Sequence, residues 1–265
     1  MNPPLPLFRR SIVDGWRGLL GWTVGLLAAL FLYLPLYPTF GGQSQMQDLL
    51  DSLPQELIKS LNYDQIATGS GYTQATYFGL IGFILGTIAA VGWGTGAIAN
   101  DEENGQLELT LAHGVIRGQV FAERAAAVFV KILWLALVSA VVILGLDGPA
   151  ELGIDPGPLV AVTVAYVGLI GLSAAAAIAV GGITGRRSWA LGAGAGVAVY
   201  GYALNALGNQ SADLEWLHDW SPYSWAYADS PLQQGWTGML WLNLAVAAAL
   251  LVVGWLVFRR RDIAV

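Results

Sequence analysis

Cysteine is absent from all 265 residues. Disulfides, thiolate metal sites and cysteine nucleophiles are therefore excluded. Charge is scarce too: 11% of residues are Asp, Glu, Lys or Arg, against about a quarter in an ordinary soluble domain. A large core cannot explain that deficit, because a soluble chain of this size still needs charge to cover its surface. With 55% of residues hydrophobic, the apolar surface must face lipid. The formal charge of −6 is modest, and no basic stripe of the kind that binds nucleic acid is present.

Lysine and histidine are nearly missing. The only lysines, Lys59 and Lys131, follow Ile58 and Val130. A P-loop needs Gly-Lys ahead of Ser or Thr to cradle phosphate and ligate Mg²⁺, so this chain has none. If ATP is used, another chain must supply the site. His113 and His218 fall on opposite sides of the membrane in the topology argued below, so they cannot share a metal ion within one subunit. No acid pair, Ser-His-Asp set or Gly-x-Ser-x-Gly elbow occurs in a workable setting. Nothing in the chain reads as an enzyme.

Long apolar runs are what the chain has in quantity. The hydrocarbon core is roughly 30 Å thick, so a spanning helix needs about 20 apolar residues. Six segments meet this: 18–37, 76–98, 125–146, 158–182, 189–207 and 238–258. Helices are expected, since lipid leaves no partner for an open backbone and the segments lack the alternation of barrel strands. The N-terminal arginines have no adjoining short apolar core with a cleavage site, so the first run reads as a retained span rather than a signal peptide. The fold class is thus all-α, a six-span membrane protein, with residues 1–265 forming one transmembrane domain.

Orientation follows from the basic residues. With both ends in the cytoplasm, the inner segments collect Arg9, Arg10, Arg17, Arg117, Arg124, Arg186, Arg187, Arg259, Arg260 and Arg261, ten of the twelve Lys and Arg. This is the positive-inside pattern. Trp16, Trp22, Trp93, Trp189 and Trp255 then mark the inner boundary, and Trp216, Trp220, Trp225, Trp236 and Trp241 the outer one. Lys131 is the only formal charge within a span. Such a residue is a functional candidate by default, though a stem of its length can snorkel from a turn or two below the interface. Residues 43–72 form a long outer segment, and its centre, MQDLLDSLPQELIKSL, has the spacing of a helix lying on the surface. A second outer stretch, 208–237, is rich in Trp, Tyr and Pro and is expected to pack against the membrane or the bundle.

The inner segment between spans two and three reads NDEENGQLELTLAHGVIRGQVFAER. Asp101, Glu102 and Glu103 close span two with negative charge, and Gly105 permits a sharp reversal. Leu107, Leu109, Leu111 and Val115 supply apolar contacts on a short helix around Glu108. A charge run is commonly just a solvated face. A short helix offering leucines and acids is also what docking to a soluble partner requires.

This segment resembles the signature of ABC-2-type transporter permeases, in which an acidic cluster precedes Gly-Thr-Leu-Glu-x-Leu-Leu, then Pro-Val-Ser-Arg and a later basic residue. Gly105, Leu107, Glu108, Leu111, Val115 and Arg117 match, and Arg124 stands where the family usually has lysine. Gln106, Gly114 and Ile116 depart from threonine, proline and serine. Trp220–Trp225 is similar to the family's Ser-Pro-Phe-Gly-Trp stretch, and Phe258–Ile263 resembles its usual ending.

The resemblance implies a permease subunit of an ABC exporter in a prokaryotic plasma membrane, paired with an identical or homologous second permease. ATP and Mg would be bound by cytosolic ABC ATPase subunits and no cofactor by this chain. Residues 1–17 would form an interfacial helix, and short outer helices would precede spans two and six. The 100–117 loop would carry the coupling helix. Within it, Glu102, Glu103, Glu108 and Arg117 would be polar contacts or hinge anchors, Gly105 the turn, and Leu107 and Leu111 the packing residues. An apolar, uncharged path favours hydrophobic or amphipathic cargo: a drug, antibiotic, lipid or peptide. A nucleotide-independent carrier or channel, and a membrane scaffold or sensor that moves nothing, are the rival readings. The glycines of span two (Gly79, Gly82, Gly86, Gly92, Gly94, Gly96) and span five (Gly192, Gly194, Gly196) fit either close packing or a sliding, path-lining surface.

Overall fold

A computed structural model describes residues 5–40, 68–112 and 114–261, together with Pro54 and Ile66. The expected outer surface helix at 46–61 and His113 lie outside the described residues. Among these residues the chain is all-helical. A short helix α1 (Pro6–Asp14) turns at Gly15 into α2 (Trp16–Tyr33), which tightens into a 3₁₀ segment at Leu34–Phe40. Then follow α3 (Gly69–Ala97), the short α4 (Ala99–Glu103) and α5 (Gln106–Ala112), and the long α6 (Arg117–Asp147). Next are α7 (Pro156–Thr184), α8 (Arg187–Gly208) and a 3₁₀ segment at Ala212–Trp220. Two short helices, α9 (Pro222–Tyr227) and α10 (Pro231–Gln234), lead into α11 (Leu240–Phe258).

Among the described residues six helices are long and apolar enough to cross a membrane: α2, α3, α6, α7, α8 and α11. The third of them starts at Arg117, not at Ala125 where the apolar run begins, so its first two turns carry charge beyond the apolar stretch. Both described chain ends lie at one end of the bundle. The amides of Leu7 and Phe8 donate to Glu123 near the start of α6, and Arg117 donates to the carbonyl of Arg261.

α7 is the axis of the bundle. It is apolar on every side, as a helix enclosed by others must be. Its most apolar window is 83% buried, whereas those of α2 and α11 are 22% buried and that of α8 is 28%. Three helices reach α7 through glycine. A Cβ added at Gly94 would lie 2.8 Å from the Ala174 carbonyl oxygen, at Gly194 2.9 Å from that of Ser173, and at Gly254 2.7 Å from Ala179 Cα. Helix association in lipid depends on such close backbone approach, because apolar burial alone gains little there. These glycines are packing residues. Gly92, Gly96, Gly192 and Gly196 have nothing within 4 Å of an added Cβ, so the same motif serves two purposes.

α3 departs from α-geometry. Between Gln74 and Ile81 it widens into a π-turn, with the Gly82 amide donating to the Tyr77 carbonyl five residues back. Such a turn disturbs the regular ladder, and in lipid every carbonyl left over needs a donor. Two phenols bond to the backbone of this stretch: Tyr223 OH donates to Gly79 O and Tyr166 OH to Gly82 O, each at 2.8 Å.

Tyr223 belongs to α9, the Pro-Tyr-Ser-Trp stretch of the far end. Ser221 caps α9 by accepting from the Ser224 amide at 3.0 Å and also donates to Gly201 O at 2.6 Å. Asn243 of α11 donates to Pro222 O at 2.9 Å. The aromatic stretch is therefore a plug pinned among α3, α8 and α11. Around it Trp216, Trp220, Trp236 and Trp241 remain exposed, the last two stacked at 5.6 Å.

Candidate functional site

At the end of the bundle carrying both described chain ends, the helix axes stop and the charges gather. α3 ends because Ile98 leaves helical geometry (φ −135°, ψ −58°), which swings α4 away. Gly105 (φ +69°) and Gly114 (φ +80°) then turn the chain before and after α5, in a left-handed region that glycine enters without strain.

Each acid of α4 holds a different part of the bundle. Asp101 pairs with Arg124 of α6 at 2.8 Å, and the same arginine donates to the Ala97 carbonyl at 2.8 Å, closing the end of α3. Glu102 pairs with Arg261, just beyond α11, whose Nη2 reaches both carboxylate oxygens. Glu103 accepts from the Arg187 amide at 2.7 Å, at the positive N-terminus of α8. Gly185 ends α7 with φ +68°, and any Cβ there would collide with the Glu102 carboxylate. One five-residue helix thus clasps the ends of α3, α6, α7, α8 and α11.

α5 sits on this clasp. Leu107 is fully buried, and Leu111 and Val115 are half-buried against the main core. Glu108 is exposed, Leu109 is 66% exposed and Ile116 74% exposed. Residues two apart on a helix lie on opposite faces, so Leu107 and Leu109 cannot serve the same surface. Of the residues singled out above, Glu102, Glu103 and Leu107 are engaged inside the chain. Arg117 is half-buried and occupied by the Arg261 carbonyl. Glu108 and one side of Leu111 face outward.

Sequence reasoning passed over three parts of the site. Arg261 has its partner 159 positions away, and no local pattern announces it. The outward phase of Leu109 was readable from helical spacing. Glu123, 4% exposed, caps α1 from another helix: its Oε2 accepts the amides of Leu7 and Phe8 at 2.8 and 2.9 Å, and its Oε1 accepts from Gln119 at 2.6 Å. Leu5, at the cap position of α1, offers no side-chain acceptor, so the carboxylate replaces the missing cap. Glu123→Ala is expected to cost about 1–3 kcal/mol and to release α1. The check is faster hydrogen exchange at Leu7 and Phe8, with the helices around α7 unchanged.

Between α1, α3, α5 and α6 lies a cavity of about 760 Å³. Arg10 and Asp14 of α1 and Gln106 and Leu109 of α5 line its outer part. Deeper, Gly92, Trp93 and Gly96 of α3 face Arg124, Val128 and Lys131 of α6. Lys131 is only 7% exposed, and its ammonium stands 5.7 Å from the centre of the Trp93 ring. It does not snorkel to bulk water.

A bundle with an outer face of Leu, Val, Ile and Trp and six membrane-length helices belongs in a bilayer. Its charged end consists of helix-end clasps, with no reacting groups assembled among the described residues. The class it fits is a multi-pass membrane permease. Residues 15–259 match the family described as multidrug efflux system permease Rv1217c, C-terminal domain, and the chain belongs to that family. It is a membrane permease of an efflux family, a transport subunit rather than an enzyme. A comparison with curated proteins finds no match.

Proposed function

We propose that this chain is the membrane-spanning subunit of an ATP-driven ABC-2-type exporter, with α5 as its coupling helix. In this reading both termini and α4–α5 face the cytoplasm of a prokaryote, and the membrane is the plasma membrane. A second permease chain completes the path. Separate ABC ATPase subunits bind ATP and Mg and grip α5 through Glu108 and Leu109, together with Ile116 just before α6. The cargo is hydrophobic or amphipathic, in keeping with the multidrug description of the family.

The observation that carries the reading is the two-sidedness of the α4–α5 unit. Its inner side is bolted to five helix ends, while its outer side offers a short apolar-acidic surface. A motor that shifts this unit would move the helix ends together. ATP closure can bias two membrane states only if the motor binds them differently, and a rigid clasp is one way to transmit that difference.

The test is co-expression with an ABC ATPase subunit. Glu108→Arg combined with Leu109→Asp is expected to weaken capture of the ATPase by at least about tenfold, with no change in the thermal stability of the permease alone. Undiminished capture would count against α5 as the handle. The purified chain alone is expected to hydrolyse no ATP.

A further inference from the structure

Lys131 lies two turns farther into the bundle than Arg124, about 10 Å along α6 at 1.5 Å per residue. Among the described residues it forms no ion pair or hydrogen bond. The other charges lining the cavity are matched: Arg10 with Asp14 at 3.2 Å, and Arg124 with Asp101 at 2.8 Å. The cavity therefore carries one unmatched positive charge, at its inner part. The ammonium reaches the α1–α2 turn, where a Cβ added at Gly15 would lie 2.6 Å from Nζ; the remaining wall is apolar, formed by Trp93, Ala127 and Val128, and Gly92 leaves open space where a side chain would stand.

A buried ammonium without an anion is costly, and an aromatic face offsets only part of that cost. The arrangement has the features expected of a site for a charge of opposite sign: room, a fixed cation and an apolar wall on which a non-polar body can rest. We propose that the cavity binds an amphiphilic anion, with its phosphate or carboxylate on Lys131 and its apolar part against Trp93 and Val128. The source is either an anionic lipid of the surrounding leaflet or a soluble amphiphile, and the chemistry recognised is the same. The inference relies on the proposed orientation only for which leaflet supplies a lipid. Binding by the permease alone is independent of any motor.

The experiment uses the full chain in phosphatidylcholine nanodiscs. Three probes are compared by native mass spectrometry and titration: phosphatidylglycerol built into the disc, added dodecyl phosphate, and inorganic phosphate. One equivalent of an amphiphile is expected, weakened about ten- to a hundredfold by Lys131→Met, as for loss of a charge-assisted contact, and largely kept by Lys131→Arg. Gly92→Phe, which places a ring in the inner part of the cavity and keeps the lysine, is expected to abolish binding, so the proposal does not depend on one variant folding. Retention of phosphatidylglycerol alone identifies lipid as the source, and of dodecyl phosphate alone a soluble amphiphile. Either supports the site. Inorganic phosphate binding as well as dodecyl phosphate would overturn the amphiphilic part, and binding indifferent to both Lys131→Met and Gly92→Phe would overturn the site.

Discussion

Glu102→Ala is expected to destabilise the protein by about 3 kcal/mol, the scale found when one partner of a buried ion pair is removed. The pair is well shielded, with side-chain exposures of 10% for Glu102 and 21% for Arg261. Arg261 also has a buried Nε with no hydrogen-bond partner, so little else would compensate its charge. In a domain of this size the loss corresponds to a fall in unfolding temperature on the order of 10 °C. A solvated surface pair would cost under about 1 kcal/mol, and a fall of only a degree or two would place Glu102 in that class.

A double-mutant cycle separates the pair from simple loss of volume. Once Glu102 is gone, Arg261→Ala removes a liability and should cost little more, or restore stability. Coupling of about 1–3 kcal/mol between the two changes is expected for groups in direct contact. If α4 transmits the motion of α5, Glu102→Ala should also lower transport per ATP hydrolysed in the assembled complex. On the proposed reading Glu108→Arg acts differently: it should weaken capture of an ABC ATPase while sparing stability. The two variants therefore report on the two sides of the same small unit.

The six long helices were legible because a bilayer imposes a length on apolar runs, and no other arrangement of these residues satisfies the backbone. The acidic turn with its leucines was legible as a feature for a related reason, since charge followed by glycine at the end of a span must be a reversal. The identity of each partner was not. Glu102 could have faced solvent, a motor or another helix, and only the meeting of α7, α8 and α11 at one point sends it to Arg261. Glu123 was invisible because the groups it caps are backbone amides, which every residue has. Lys131 has a stem long enough for water or for a cavity, and the path of α1 across the end of the bundle decides between them. The glycines are harder still. Nothing in the spacing of Gly92, Gly94 and Gly96 tells which meets Ala174 and which borders open space, because that depends on the rotation of α3 about its axis.

On α11 the same dependence on helix rotation falls on its one glycine, Gly254. An added Cβ would lie 2.7 Å from Ala179 Cα, 2.9 Å from Ala179 Cβ and 3.1 Å from the Phe121 ring. The first of these neighbours is backbone, which no side-chain rotation can clear. Gly254→Ala must therefore move α11 away from α7. An overpacked contact of this kind costs typically about 1–3 kcal/mol, and Gly254→Leu should cost more. Gly192→Ala is the matched control. Its Cβ meets nothing within 4 Å, and exchanging helical glycine for alanine is favourable by up to about 1 kcal/mol. Thermal unfolding of the three variants in one detergent should rank Gly192→Ala at or above the parent, Gly254→Ala below it and Gly254→Leu lowest. Ala179→Gly in the Gly254→Ala background should recover part of the loss, since it removes the second contact and leaves the first. Because Arg261 follows three residues after the end of α11, a shift of this helix also pulls on the clasp that holds α4. Gly254→Ala should then lower coupling as well as stability, although it lies well away from the exposed face of α5. Equal stability of Gly254→Ala and Gly192→Ala would mean that α11 does not approach α7 as closely as this geometry requires.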